Sequence, residues 1–446
     1  MLSFLSGHVF YPLWDIRDKS TKLKRLKELQ KRQWLPEDAL KEIQQLRLRK
    51  LLTHALDNSP FYKQFYADLN LEIDKIKNLE AFSSLPILTK HQIREAGDSF
   101  RPAFFNKSEL ATAKTGGSTG VSLHLYFDKK CQEYRNAAAM LTDMWSGWKP
   151  GLKRAAIWGN PPVPQTINQK LRSALLDRMI YLDTMALNAE SLNSFVALWQ
   201  REKPQTVFGH SHSIYMLAKF LLEHNITDLR PRGVISTSMM LLEHERDAIE
   251  QAFKCKVFNR YGCEEVGLIA SECEYHNGMH LNCHDVYVEF INSNGDACKP
   301  GEEGKIVLTD LNNYAMPLIR YQVEDIGTPT DRKCSCGRAM PLMENISGRV
   351  ADFLKRKDGT LVAGVSLVER TLTAIKGVEQ MQLVQESFTN LTVNFVKSRD
   401  FDETTIPLLE SEFKSSVGQD VEIIFNQFDN IPQEASGKFR FSICKF

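Results

Sequence analysis

From about residue 110 the chain alternates short apolar runs with longer segments of helical spacing, and this rhythm constrains the fold more than any other feature. The runs "SLHLYF", "RAAIWG", "QTVFGH", "GVISTSM" and "KVFNRYG" read as strands, bounded by Gly, Pro and Asn. Between them lie segments such as "QEYRNAAAMLTDMW", with Ala and Met at helical spacing. Strand–helix–strand repeats of this kind build an α/β fold around a largely parallel sheet. From "VYVEFINSNGD" through "GKIVLTDL" the pattern becomes that of a hairpin, with "SNGD" as its turn. After "GRVADFLKRKDGT" the chain restarts with a helix, two paired strands, a second helix and a strand. The expected organisation is α/β: a large domain of mixed sheets and helices over 1–350, opened by a helical segment over 1–60, and a small α+β domain over 351–446.

With 446 residues, 43% hydrophobic and 25% charged, the chain can bury a sizeable core and is not a disordered chain. Lys and Arg number 56 against 55 Asp and Glu, a balance that argues against a nucleic-acid partner. No apolar stretch approaches the roughly 20 residues of a membrane span. The start, "MLSFLSGHVFYPLWDIRDK", lacks the basic region and cleavage site of a signal peptide. Its apolar and aromatic residues suit a helix packed on the body or a contact with a membrane surface. Residues 19–50 are charged and helix-forming, a solvated surface. Nine cysteines, an odd number in a long chain, fit a reducing cytoplasm better than a disulfide framework.

The stretch "KTGGSTGVSLHLYFD" places a bare Gly/Ser/Thr loop before a strand. Glycines let a backbone approach a ligand closely, and exposed N–H groups with hydroxyls suit phosphate oxygens. It is not a P-loop of the G-K-[ST] kind, because no lysine follows and a strand replaces the helix. Thr115, Gly116, Gly117, Ser118, Thr119 and Gly120 instead resemble the phosphate loop of the adenylate-forming family. Four further stretches continue the resemblance in the family's order. "NRYGCEEVG" supplies Tyr261, Gly262 and Glu265, and "IRYQVEDIG" supplies Asp325 behind Tyr321. "ISGRVADFLK" supplies Arg349 and Asp352 where the pattern restarts, and "ASGKFRF" supplies Lys438 near the end. The resemblance implies ATP and Mg²⁺ as cofactors, a hinge at Asp352 and a mobile small domain carrying the catalytic Lys438. It implies that Tyr261 packs on adenine, Glu265 holds Mg²⁺ and Asp325 binds ribose. "STSMM", containing Ser238, stands where the adenine loop runs. Glu264, and Gln322 to Glu324, depart from the family pattern, and Arg320 is a candidate electrostatic partner there.

"LRKLLTHALDNSPFYKQFY", "LPILTKHQIRE" and "CSCGRAMPLMENISGR" resemble the phenylacetate–CoA ligases, and most of all their CapK-like relatives associated with capsular polysaccharide biosynthesis. A structural Zn²⁺ candidate accompanies this branch: Cys273, His280, Cys334 and Cys336, with His276, Cys283 and His284 nearby as alternatives. His210 and His212, after a strand and before a helix, are candidates to line an acyl pocket or to cap the helix. The resemblance implies an AMP-forming ligase. It would adenylate a small-molecule carboxylic acid, release pyrophosphate and pass the acyl group to CoA. An amine, a hydroxyl or a carrier thiol is the alternative acceptor, and a non-catalytic nucleotide-binding relative is the rival class.

Overall fold

The structure, a computed structural model, describes residues 1–67, 79–115, 123–159, 161–239, 241, 243–347, 353–429, 431 and 441–446. A hairpin of β1 (Ala111–Lys114) and β2 (His124–Phe127) comes first among the strands and pairs Lys114 with His124 at its neck. The central sheet then collects β3 (Arg154–Trp158), β4 (Met179–Asp183), β5 (Thr206–His210), β6 (Val234–Thr237), β7 (Val257–Cys263), β8 (Gly267–Glu272), β9 (Met279–Leu281), β10 (Val286–Ile291), β11 (Gly304–Asp310), β12 (Tyr321–Thr330) and β13 (Leu342–Ser347). Their order is β10-β11-β12-β13-β9-β8-β7-β6-β5-β3-β4. From β4 to β7 every pairing is parallel, and from β7 to β10 every pairing is antiparallel.

The parallel half is covered by helices, so its strands are largely buried, with Ala155, Ile157, Val207 and Val234 in the core. The helix Ala189–Glu202 begins at Asn188, whose side chain accepts from Ser191 N. It buries Leu192, Phe195, Val196 and Trp199, one stripe at spacings of three and four. The helix Lys129–Trp145, capped by Asp128, similarly buries Ala137, Ala138, Leu141 and Trp145. The antiparallel half packs its other core on the helix Glu37–Asn58 and on the β1–β2 hairpin, through Leu48, Leu52, Leu125, Phe127, Ile306 and Leu318.

A two-stranded ribbon, β14 (Phe353–Lys355) with β15 (Leu361–Ala363), opens the C-terminal part. β16 (Val378–Ser387), β17 (Asn390–Lys397), β18 (Glu422–Gln427) and β19 (Ser442–Cys444) form a four-stranded sheet in the order β18-β17-β16-β19. The helices Gly364–Ala374 and Thr405–Val417 contribute to its core with Leu367, Leu372, Leu409 and Phe413. One contact tying it to the rest is the Lys114 ammonium, which donates to the Leu372 carbonyl at 2.7 Å.

Candidate active site

β7 is the seam of the central sheet, parallel to β6 on one side and antiparallel to β8 on the other. A ligand crevice in an open α/β sheet lies at the carboxyl ends of the parallel strands where the sheet's direction changes. A cavity of about 320 Å³ opens there, lined among others by Ser238, Arg246, Tyr261, Gly262, Glu272 and Asp325. Two irregularities shape it. The β7–β8 register shifts between Tyr261 and Gly262, and the β11–β12 register shifts opposite Val323 to Asp325. Bulges of this kind bend a strand and re-aim its side chains. Gly262 has no room for a side chain, because a Cβ would meet the Gly267 carbonyl oxygen at 2.5 Å.

Ser238, just past β6, has a φ of +67°, in the left-handed region that costs a non-glycine residue energy and often marks a binding loop. Beneath it the Ser236 hydroxyl donates to the Ser211 hydroxyl at 2.6 Å, and Ser211 donates to the Met239 carbonyl at 2.9 Å. This relay holds the loop after β6 against the start of the helix Ser211–Glu223. On the cavity's other wall Arg246 and Glu272 pair at 2.8 Å, and Glu272 also accepts from Asn259 N at 2.8 Å. Arg260 reaches the buried Asp143, which also pairs with Arg154. Burial pushes the Asp143 carboxyl up, and the two guanidiniums outweigh it and hold the group below its ordinary range.

Two hydroxyl–carboxylate bonds cross the site. The Tyr261 hydroxyl donates to Asp325 Oδ2 at 2.8 Å, and the Tyr321 hydroxyl donates to Glu265 Oε1 at 3.1 Å. Both acids are buried, Asp325 at 2% exposure and Glu265 at 7%. Among the described residues no Lys, Arg or His pairs with Glu265. A nearly buried carboxylate without a cation is costly, and a hard divalent ion would compensate it. The Arg135 guanidinium donates to the Glu264 carbonyl at 2.8 Å and stacks on Phe127, so it ties the turn before Glu265 to β2. The Glu264 side chain itself is exposed.

Other residues singled out from sequence fall as follows. Thr115 closes the neck of the β1–β2 hairpin: its N–H donates to the Leu123 carbonyl and its hydroxyl accepts from Leu123 N, each at 3.0 Å. Gly116, Gly117, Ser118, Thr119, Gly120, Arg349, Asp352 and Lys438 lie outside the described residues. Arg320 is occupied elsewhere, with its guanidinium 3.0 Å from both oxygens of Glu289. Gln322 belongs to the strand ladder, its N–H donating to the Leu88 carbonyl. His212 lies 2.5 Å from the buried Glu245. His210 is buried against Trp158, with 3.9 Å between ring centroids, and burial pushes its pKa down to about 4. Sequence reasoning missed Arg135, Ser211, Arg246 and Glu272. Their roles depend on pairings across the sheet, which no local motif announces.

On the antiparallel side, four residues converge beside β8, β9 and β13. The ligand atoms of Cys273, His280, Cys334 and Cys336 all lie within 4.8 Å of one another. Cys273 Sγ is 3.6 Å from Cys334 Sγ, and Cys336 Sγ is 3.3 Å from His280 Nε2. Tetrahedral zinc with Zn–S bonds of about 2.3 Å separates its sulfurs by about 3.8 Å. His280 Nδ1 lies 3.2 Å from the Met340 carbonyl, which leaves Nε2 to face the cluster. His276 instead lies 3.3 Å from Glu272, and Cys283 and His284 are not in the cluster.

The sheet has one parallel and one antiparallel half with a cavity at their seam, and a small α+β unit follows it. Crystal structures of 2-hydroxyisobutyryl-CoA ligase share this fold. The complex with 2-HIB-AMP and CoA in the thioesterification state aligns with a TM-score of 0.61 and 19% identity, over 93% of this chain and 92% of that one. The post-adenylation complex with 2-HIB-AMP gives 0.60. Residues 354–445 match the CapK C-terminal domain family. Protein CapK of Staphylococcus aureus is 26% identical over 98% of this chain and 95% of its own length. The phenylacetate-coenzyme A ligase of Thermus thermophilus is 21% identical over 87% of this chain and 85% of its own. Over most of its length the chain is thus similar to CapK and to phenylacetate-coenzyme A ligase, and it shares the fold of 2-hydroxyisobutyryl-CoA ligase.

Proposed function

We propose that the chain adenylates a carboxylic acid at the seam of its central sheet and passes the acyl group to CoA. In the first step a carboxylate oxygen attacks the α-phosphorus of ATP, the bond to the bridging oxygen breaks, and pyrophosphate leaves. In the second the CoA sulfur attacks the acyl carbonyl and AMP leaves with the bonding pair. The observation that carries the reading is the pair of buried carboxylates, Glu265 and Asp325, each held by a tyrosine hydroxyl, with Asp325 and its partner Tyr261 lining the cavity. Asp325, oriented by Tyr261, is suited to accept the ribose hydroxyls, and the Tyr261 ring to lie against the base. Glu265 would hold Mg²⁺, which supplies charge neutralisation at the phosphates. Gly116 to Gly120 are assigned to the β- and γ-phosphates, with backbone N–H groups and the Ser118 and Thr119 hydroxyls as donors. Lys438, in a lid domain over 351–446 that turns at Asp352, is assigned to bring carboxylate and α-phosphate together against their mutual repulsion. Arg349 is assigned to the nucleotide, and His210 to the acyl end.

We assign zinc to Cys273, His280, Cys334 and Cys336 as a structural ion, closed by four protein ligands and therefore not catalytic. None of the nine cysteines is paired in a disulfide, which agrees with a reducing, cytoplasmic setting. The test is pyrophosphate release from ATP over a panel of carboxylic acids, with and without CoA. Release that needs an acid, and that Glu265→Gln abolishes without unfolding, supports the reading. ATP turnover indifferent to every acid removes it.

A further inference from the structure

The first helical stretch, residues 2–17, carries large apolar side chains on its outer face as well as on its inner one. A surface helix normally sets its apolar stripe on the core and its polar side in water. Here the inner face mixes Tyr11, Phe10 and Trp14 with small and polar residues. The Ser6 hydroxyl donates to the Leu175 carbonyl, and the Ser3 hydroxyl accepts from Arg178 at 2.8 Å. Gly7 lies so close that a Cβ would collide with the Pro150 carbonyl oxygen, and Asp15 is buried and accepts from Leu23 N at 2.9 Å. Five other apolar side chains point to solvent: Phe4, Leu13 and Ile16 are 64, 58 and 74% exposed, with Leu2 and Val9 exposed beside them. The neighbouring helical segment, Ile167–Asp177, which supplies Leu175, adds exposed Ile167 and Leu171. Single exposed leucines need no explanation, whereas a row of them on one helix marks an apolar partner.

The flank of this face is basic. Lys19, Lys24, Lys129 and Lys130 line a groove at the C-terminal end of the helical stretch, together with Glu28 and Glu133. Lys129 Nζ donates to the Asp18 carbonyl at 2.5 Å and to that of Lys19 at 3.2 Å, so the cluster abuts the helix. An anionic lipid surface complements these lysines. The stretch is about 24 Å long at 1.5 Å per residue, too short to span a bilayer. None of the described helices is long and apolar enough to cross a membrane.

We propose that residues 2–17 seat the protein on a membrane surface carrying anionic headgroups, with the helix axis in the plane of the interface. Its outer side chains would enter the acyl boundary, and the lysines would meet the headgroups. The test is co-sedimentation of the full chain with phosphatidylcholine vesicles, with and without phosphatidylglycerol, at several salt concentrations. Binding should need phosphatidylglycerol and weaken as salt rises. Leu13→Ser with Ile16→Ser should lower the partition coefficient by about tenfold or more, and Lys19→Glu with Lys24→Glu by a similar factor of about ten. Melting temperatures should stay unchanged, since these side chains are exposed, and Phe4→Ser supplies an independent variant. Failure to bind anionic vesicles, or undiminished binding by the Leu13/Ile16 variant, overturns the proposal. A dimer that the same variant dissociates, with no vesicle binding, would assign the face to a second copy instead.

Discussion

Replacing Tyr261 by Phe removes one oxygen and leaves the ring in place. In the folded protein that oxygen donates to Asp325 Oδ2 at 2.8 Å, between a tyrosine 7% exposed and a carboxylate 2% exposed. A hydrogen bond to a buried charged acceptor contributes about 1.5–3 kcal/mol. Little water reaches the carboxylate to replace the lost donor, so the upper part of that range applies. If Asp325 binds ribose, the Tyr261 bond fixes the carboxylate's orientation, and its loss should reappear as weaker nucleotide binding. At 1.4 kcal/mol per factor of ten, AMP affinity should fall by about thirtyfold to a hundredfold. Tyr261→Ala should lose more, because the ring that lines the cavity goes too. Calorimetric titration of AMP into wild type, Tyr261→Phe, Asp325→Asn and the double variant measures this as a coupling energy. A Tyr261→Phe protein with a lowered melting temperature and undiminished AMP affinity would refute the reasoning. The Tyr261–Asp325 bond would then be structural.

Purified protein should carry about one zinc per chain. Cys334→Ser should lose the metal and lower the melting temperature while folded molecules keep most of their turnover; metal analysis beside activity checks this. Burial pushes the Asp310 carboxyl up to about 7. The folded state therefore keeps this proton after the unfolded chain has released it near the ordinary value of 3.8. Its stabilising contribution is full below about pH 4 and declines until about pH 7. Asp310→Asn keeps the acceptor for Asn312 N and should flatten that decline, measured by urea unfolding at pH 5 and pH 8. Lys438→Ala should abolish acyl-AMP formation while sparing acyl transfer from preformed acyl-AMP. Equal loss of both half-reactions would show that the lysine does not act in adenylation alone.

Much of the α/β frame is visible in the chain because strand and helix write different periods. β3, β5, β6 and β7, the β10–β11 hairpin and the β16–β17 pair all fall on runs that read as strands. β4, "MIYLD", is not separated by pattern from the polar segment before it, and only its parallel pairing with β3 defines it. The site is legible where one residue type must stand in one place, as with Gly262 under the Gly267 carbonyl. It is not legible where partners are distant in sequence. Arg320 stands next to Tyr321 in the motif, yet its φ of +49° and its pairing with Glu289 turn it to another task. Arg135 reaches the turn before Glu265 from 129 positions away. The helix 2–17 shows the same limit, because its apolar residues are plain in the sequence and the side they occupy is not.

The central claim is reversible adenylation, and the exchange of labelled pyrophosphate into ATP without any acyl acceptor tests it most directly. The account predicts exchange that requires a carboxylic acid and Mg²⁺, proceeds without CoA, and is lost in Glu265→Gln while that variant remains folded. Exchange without an acid, formation of ADP and phosphate instead of AMP and pyrophosphate, or full exchange by Glu265→Gln would contradict it.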